Sequence, residues 1–518
     1  MSDRALKAAL FVGLVLCVVI ATGAAYGATY KVGVYYFGVW SASSCNVCGG
    51  GNTDWWKGAR DYYNGDIDPP WQSDDFSYLL PALGFYDNSQ RATLEKQVRQ
   101  AKANGIQFFN FYWYWGSDLN GGQGGEKYSA GLDTYLTARN TADLEFAISI
   151  TSHPWGNLNI PANQAPQAVD LIIQQYISQP HYLKTSDGRP VVFLLDTRGI
   201  KGGSQSDVLD FIALLNQQVV QQLGVSPFIV INAELNNLNA SDPYYLDVKN
   251  LSSVQGYSCL NYFGVSLSGS TTVGSFVRYN NNLTGVLGGF NNKPMIPCYM
   301  TDFNEKPRTR VGVPSYNIRY LNDWSVSELN RGLTNVRSFV NGSSQGVVNN
   351  HVLLYAWNEW REGGVNVEPS ERDGNRTLAQ VSSVFSLATS GDSQCKKYGN
   401  CTHNTYLPTG TLDVANCTRI AGWARDQDTS YPIKVHLYKD APYGQGGTFV
   451  TSFTASNYRG DLPFLDKYHG FSVTTPAAFK TGQPVKVYAY GININANGTN
   501  NGSNPLLNGV PKTVTCSP

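Results

Sequence analysis

Two carboxylates stand three residues apart in Ala356-Trp357-Asn358-Glu359-Trp360-Arg361-Glu362-Gly363, with a further acid at Glu368 before Pro369. They follow Val352-Leu353-Leu354-Tyr355, an apolar run of the kind that forms a buried strand, so both come where a strand ends rather than on a solvated helix. On an extended strand residues three apart face opposite ways, but in a turn or a first helical turn they converge to roughly 5 to 6 Å. Gly363-Gly364 permits such a turn. A carboxyl pair about 5 to 5.5 Å apart is the arrangement of retaining glycoside hydrolysis, one acid protonated and the other ionised. Trp357 and Trp360 can exclude water and raise one acid's affinity for its proton. The plainer alternative is that Glu359 or Glu362 pairs with Arg361 or another base. Against it, carboxylates are rarely fully buried without a purpose, and this chain is only 15% charged.

The elements that would position these acids alternate between β-rich runs and helical patterns. Strands are expected at Val32 to Phe37, Ile106 to Tyr112, Glu145 to Ile150, Val191 to Leu195, Phe228 to Ile231, Val254 to Cys259, Met295 to Tyr299 and Val352 to Ala356. Between them the spacing predicts helices at Ser89 to Asn104 with Asn88 as cap, Ala165 to Ser178, Ser206 to Leu223 and Ser325 to Val340. Eight such units imply an α/β fold, a closed (β/α)8 TIM barrel whose catalytic groups sit on loops at the carboxyl ends of its strands. Beyond Ser390 the texture turns polar and then to short alternating strands, such as Lys434 to Tyr438 and Val485 to Tyr490, which predict a smaller all-β sandwich. The expected boundaries are a signal peptide or anchor over 1–27, the barrel over 28–390, a linker over 391–410 and the sandwich over 411–518.

Lys plus Arg equals Asp plus Glu at 38 each, which removes the basic footprint of a nucleic-acid binder. Aromatic residues make up 13%, with 32 Tyr and 11 Trp, a supply suited to stacking on neutral, hydroxyl-rich ligands, although most rings must be core. Arg4 and Lys7 precede an apolar segment from Ala8 to Ala25 and small residues near Ala28, the pattern of a secretory signal, with an uncleaved membrane anchor as the alternative. Cleavage would remove Cys17 and leave eight cysteines, an even number that fits disulfides in an oxidising compartment; Cys395 with Cys401 and Cys417 with Cys516 are the expected pairs. Sequons at Asn239, Asn250, Asn282, Asn341, Asn375, Asn400, Asn416, Asn497 and Asn501 agree with export. The expected location is extracellular, or lumenal behind an anchor, and the expected state is a monomer.

Several segments in order carry a family resemblance: Val34-Tyr35-Tyr36, Leu83-Gly84-Phe85-Tyr86-Asp87, the stretch Gln97 to Trp115, Pro297 to Arg308 with Asp302, Asn304 and Arg308, and Asn358-Glu359-Trp360-Arg361-Glu362-Gly363 with Glu368-Pro369. Residues 31 to 388 resemble the glycoside hydrolase family 99-like group of endo-α-mannosidases, endo-α-mannanases and bacterial proteins linked to surface polysaccharide. The resemblance implies that Glu359 acts as base on the sugar's own 2-hydroxyl, giving a 1,2-anhydro intermediate. Glu362 is then the acid that protonates the departing oxygen and later activates water, for net retention. It implies no metal and no cofactor. Tyr36, Tyr112, Trp113, Trp115, His153, Trp155, Asp302, Trp357, Asn358 and Glu368 are the candidate substrate-binding residues. Because strand residues alternate, at most about half of the Phe109 to Trp115 run can face the barrel interior.

The chain departs from the polysaccharide-associated relatives where they show W-A-N-E-N-W; here the segment reads Ser149-Ile150-Thr151-Ser152-His153-Pro154-Trp155, so subsites on that side must differ. His153 before proline could also serve only to cap a loop. Gly342-Ser343-Ser344-Gln345-Gly346 matches G-x-S-x-G but precedes a strand instead of joining strand to helix, and reads as a loop. Cys45 and Cys48 suit a disulfide better than zinc, with no second pair nearby. The glycines from Gly121 to Gly125 follow no phosphate-loop spacing. Ala421-Gly422-Trp423-Ala424-Arg425-Asp426 and His469-Gly470-Phe471 resemble a sandwich module appended to secreted carbohydrate-active enzymes, for glycan binding or for spacing and barrel support, with the spacer favoured because Trp423 reads as well as core. The functional expectation is a secreted retaining hydrolase of α-linked glycan or polysaccharide, mannan type favoured. A non-catalytic sugar-binding or cell-surface protein and a polysaccharide-biosynthesis relative are the alternatives.

Overall fold

The eight apolar runs form eight strands: β1 Lys31–Tyr36, β2 Phe108–Gly116, β3 Glu145–Thr151, β4 Val191–Asp196, β5 Phe228–Asn232, β6 Gly256–Ser258, β7 Cys298–Met300 and β8 His351–Tyr355. The computed structural model describes residues 30–41, 54–236, 246–260, 272–290, 292–401, 406–429, 431–462, 468–495 and 498–518. The expected signal or anchor with Cys17, the Cys45 and Cys48 pair, Asn239 and Asn497 lie outside these residues.

All pairings in the order β6-β5-β4-β3-β2-β1-β8-β7 are parallel. The seam between β7 and β6 closes through Met295, which bridges Tyr257 and Val347; the Tyr257 amide donates to Pro294 O at 2.9 Å and the Ile296 amide to Tyr257 O at 2.8 Å. The Cys259–Cys298 disulfide spans the same seam, a pairing the sequence did not announce. β6 and β7 are shorter than expected because hydrogen bonding there is sparse.

Helices α1 Arg91–Ala103, α2 Ala130–Thr137, α3 Ala165–Leu171, α4 Gln205–Leu223, α5 Phe276–Gly288, α6 Val326–Gly342 and α7 Arg376–Phe385 return the chain between strands. In α4 the Ser204 side chain and Asp207 form a capping box, Gly224 at φ 71° ends the helix, and Val208, Phe211, Ile212, Leu215 and Val219 make one buried stripe. Asn88 is not the cap of α1, as expected; Gln90 precedes the helix. Instead its Oδ1 accepts from the Trp40 amide at 3.0 Å and its Nδ2 donates to the Tyr36 hydroxyl at 2.8 Å, a use the local pattern could not reveal. α3 runs on as a wider turn over Ile172–Ile177.

Alternation decides which strand residues meet inside the barrel. Tyr35, Asn110, Tyr112 and Tyr355 point inward: Tyr35 stacks on Tyr112 at 5.6 Å and meets Tyr355 edge-on at 6.1 Å, while Ser149 donates to Asn110 Oδ1 at 3.0 Å. Gly33 leaves room for the Phe108 ring, since a Cβ there would lie 2.2 Å from it.

Past the barrel, the expected linker is structured: Ser393–Tyr398 is a helix closed by Cys395–Cys401, and Gln100 and Asn104 of α1 donate to Lys397 O and Lys396 O. Strands β9 Thr409–Ala415, β10 Arg419–Arg425, β11 Lys434–Lys439, β12 Thr448–Thr454, β13 Gly470–Thr474, β14 Pro484–Gly491 and β15 Lys512–Thr515 build two antiparallel sheets, β9-β10-β13 and β12-β11-β14-β15. Leu412, Ile420, Val435, Leu437, Phe471 and Val487 fill the space between them. Trp423 is not core: Ile420, Gly422 and Ala424 take the inward positions of β10, so alternation leaves it half-buried on the other face. Cys417–Cys516 ties the start of the module to its end, as expected.

Candidate active site

The acid pair forms because the chain turns sharply after β8. Glu359 leads into a 3-10 turn over Trp360–Val365, with the Glu362 amide donating to Glu359 O at 2.8 Å and Gly363 at φ 59°. Asn358 fixes where this turn begins: its Oδ1 accepts from the Phe37 amide at 2.8 Å, its Nδ2 donates to Phe37 O at 3.0 Å, and its carbonyl accepts from Trp40 Nε1 at 2.6 Å. It is a brace between β8 and the end of β1 rather than a group open to a ligand.

Both acids are buried at the carboxyl-terminal mouth. Burial and then the neighbouring Glu362 charge push the Glu359 carboxyl up to about 8, against the pull of Arg308, a hydrogen bond from Tyr112 and Arg361. Burial also raises Glu362, opposed first by Arg308, whose Nη2 lies 3.1 Å from Oε1, while the Tyr355 hydroxyl donates to Oε2. The pair therefore keeps a proton at a pH where a free carboxyl has lost it. In this ligand-free arrangement Arg308 and Tyr355 favour charge on Glu362. Glu305 holds Arg308 through Nη1 at 2.7 Å and Arg319 through Nε at 2.7 Å. Arg361 lies 4.7 Å above the Trp55 ring, and burial beside Arg308 lowers it to about 10.

Among the other candidates, Tyr112 and His153 join this mouth. Tyr114, which was not nominated, is raised by burial and by Glu359, and lies 6.1 Å from His153. Trp155 is 53% exposed and stacks on His153 at 4.7 Å. Four nominated rings lie elsewhere. Tyr36, Trp113 and Trp115 fall on the outward parity of their strands: Tyr36 donates to Gln97 Oε1 at 2.6 Å, Trp113 Nε1 to Glu126, and Trp115 Nε1 to Gln164 Oε1 at 2.6 Å. Trp357 is buried on Phe109 at 5.2 Å. Glu368 is buried, accepting from Gln97 Nε2 and the Tyr86 hydroxyl at 2.7 Å each and from Trp360 Nε1 at 3.0 Å. Asp302, pushed up to about 7 by burial, lines a separate cavity of about 410 Å³ with Glu368, Trp360, Tyr78, Trp324 and Arg372; Gly363 borders that cavity but neither acid of the pair does.

The groups missed, Tyr114, Tyr355 and Arg308, had a signal in the sequence. Tyr114 shares the parity of Tyr112, Tyr355 ends the last strand, and Arg308 lies in the segment that carried the resemblance.

The sequence profile described as Glycosyltransferase WbsX matches residues 46–381. The chain belongs to that family. Both acids, Arg308, Tyr112 and the His153 segment lie within the family region, whereas β1 and the sandwich lie outside it. This WbsX-family chain is also similar to a solved GH99 endo-alpha-mannosidase from Bacteroides thetaiotaomicron bound to Bis-Tris propane, at 13% identity over 69% of this chain and 96% of the other, with a TM-score of 0.41. A second structure described as that organism's GH99 endo-alpha-mannosidase gives 13% identity, the same coverage and a TM-score of 0.40. The catalytic domain of β-amylase from Paenibacillus polymyxa gives 11% identity over 48% of this chain and 94% of its own, with a TM-score of 0.26. No curated protein matches the chain. Three disulfides stand among the described residues, and no described helix is long and apolar enough to cross a membrane.

Proposed function

We propose that the chain is an exported, retaining glycoside hydrolase acting on α-linked neutral glycan or polysaccharide of the mannan type. The observation that carries this reading is the buried pair, Glu359 and Glu362, at the barrel mouth, where burial raises both carboxyls and the Glu362 charge raises Glu359 further. Glu359 takes the proton of the substrate's 2-hydroxyl as that oxygen attacks the anomeric carbon. The glycosidic bond breaks, and Glu362 protonates the leaving oxygen. Glu362 then removes a proton from water, which opens the 1,2-anhydro sugar at the anomeric carbon while Glu359 returns its proton to O2. Two inversions give net retention. Arg308 and Tyr355 favour the ionised form of Glu362, so its role as the acid requires that it take up a proton when the sugar binds. Tyr112, His153 and Trp155 serve the sugar, whereas Asn358, Trp357 and Glu368 hold the turn. Those residues need no metal or cofactor for these steps.

The family's description favours a second reading, transfer to another sugar. The same intermediate opened by an acceptor hydroxyl instead of water would lengthen a glycan with retained configuration. Incubating the mature protein and its Glu362→Gln variant with α-mannans and α-glucans, with and without acceptor oligosaccharides, separates the readings. New reducing ends made by the parent alone support hydrolysis, longer products support transfer, and binding with neither supports a sugar-binding protein.

A further inference from the structure

The segment that departs from the family, Ser152 to Trp155, is built onto the end of β4 as one rigid unit. The Ser152 amide donates to Asp196 O at 2.9 Å and the Gly199 amide to Ser152 O at 2.7 Å, while Ile160 bridges Ile200. A Cβ on Gly199 would lie 2.3 Å from His153 O, so the two loops touch backbone to backbone. Asp196 is fully buried and binds on two sides. Its Oδ1 accepts from the Arg198 amide and Nε at 3.0 Å each, and its Oδ2 from Arg198 Nη2 and His153 Nδ1 at 2.6 Å each. Burial alone would raise this carboxyl, but these donors hold it below its usual range. With Nδ1 tied to the carboxylate, the other nitrogen of His153 faces away from Asp196.

Above this base sits Trp155, half exposed, its ring parallel to His153 within 11° and 4.9 Å from the Arg198 guanidinium carbon. A single exposed tryptophan is ordinary; one held by a buried carboxylate through two other side chains is not. Tyr114 links the cluster to the acids, since its ring lies 6.4 Å from that of Tyr112 and 6.1 Å from that of His153. A path of neighbouring rings thus leads from Tyr112, which bonds Glu359, across Tyr114 and His153 to open solvent at Trp155. It offers a flat apolar ring with polar groups beside it, which suits a pyranose.

We propose that His153, Trp155 and Arg198 form a second saccharide subsite on the β3–β4 rim, for a neutral sugar unit joined to the one at the acid pair, and that Asp196 is the positioning residue that holds it. The inference deepens the hydrolase reading and rests on it. In the full chain, kcat/KM for α-manno- and α-gluco-oligosaccharides of increasing length should rise with length. Trp155→Ala and Asp196→Asn should each flatten that rise, by roughly tenfold on the longest substrate for about 1.4 kcal/mol of lost binding, with the loss in KM. Tyr443→Ala, on the sandwich, should leave the rise intact. An equal loss at every length, or an undiminished rise in both variants, overturns the subsite. If the parent cleaves none of them, the hydrolase reading falls and calorimetric titration of the same sugars decides the subsite. Roughly tenfold weaker binding by both variants upholds it; unchanged binding, or none by the parent, overturns it.

Discussion

At the scale of single residues, the site depends on two buried carboxyls whose proton affinity burial raises. Glu359→Gln and Glu362→Gln should each lower hydrolysis by roughly 10²- to 10⁴-fold, the range of a lost general acid or base, with unfolding midpoints near the parent's. Variants that keep parental rates would end the assignment. Arg308 gives the pair its electrostatic setting, lowering the proton affinity of both acids. Removing its charge as Arg308→Leu should let the pair hold its proton to higher pH, so the alkaline limb, expected near the value of about 8 at Glu359, should move upward. A pH–rate profile for kcat/KM checks this, and a limb that stays put or moves down contradicts it. Arg308 also shows what a sequence conceals: its place in the motif was visible, but not that folding would bring it to Glu362 from the far side of the last barrel unit.

At the scale of elements, the eight strands were legible because each is a short apolar run between helical patterns, and the acids were legible because they end the last of these. Which aromatic residues face the mouth was legible only as a parity. Trp113 and Trp115 are expected at the mouth, but the pleat turns both outward and leaves Tyr114 on the parity of Tyr112. Glu368 misled for a different reason: adjacency to the acids in sequence became burial behind them, with three donors around it. Burial holds its carboxyl at about 7, against 4.5 for an unperturbed one. The folded state therefore binds more protons than the unfolded between those values. The sign follows: this group's contribution falls as pH rises through that window, by about 3 kcal/mol in all. Glu368→Gln removes that slope but turns an amide N–H₂ toward a donor, costing roughly 1–3 kcal/mol. Denaturant melts should show the variant clearly weaker than the parent at pH 5 and closer to it at pH 8; an identical gap at both would refute this account.

At the scale of the whole molecule, two covalently closed units meet on α1. The Tyr431 hydroxyl donates to Glu95 Oε2 at 3.1 Å, and the Arg139 guanidinium lies 4.7 Å over its ring, so the sandwich rests on the helix that follows β1. Cys417–Cys516 closes a sequence separation of 99 residues around that module. Replacing both cysteines with serine should destabilise the sandwich by about 2–5 kcal/mol, read as an earlier melting step with the barrel's step retained. A single unchanged transition would contradict it. The pairing was legible from cysteine arithmetic, whereas Cys259–Cys298 was not, because nothing across that sequence separation of 39 shows that two strands will become neighbours by closing a ring. The Tyr35 hydroxyl donates to the carbonyl of Cys259 at 2.9 Å, and Tyr35 carries Tyr112, which bonds Glu359. The seam of the wall is thus tied by sulfur and joined through Tyr35 and Tyr112 to Glu359. Replacing Cys259 and Cys298 with serine should loosen that wall and lower turnover while the barrel still folds, so the same polypeptide made in a thiol-rich cytosol would emerge as a slack ring with its acids untuned.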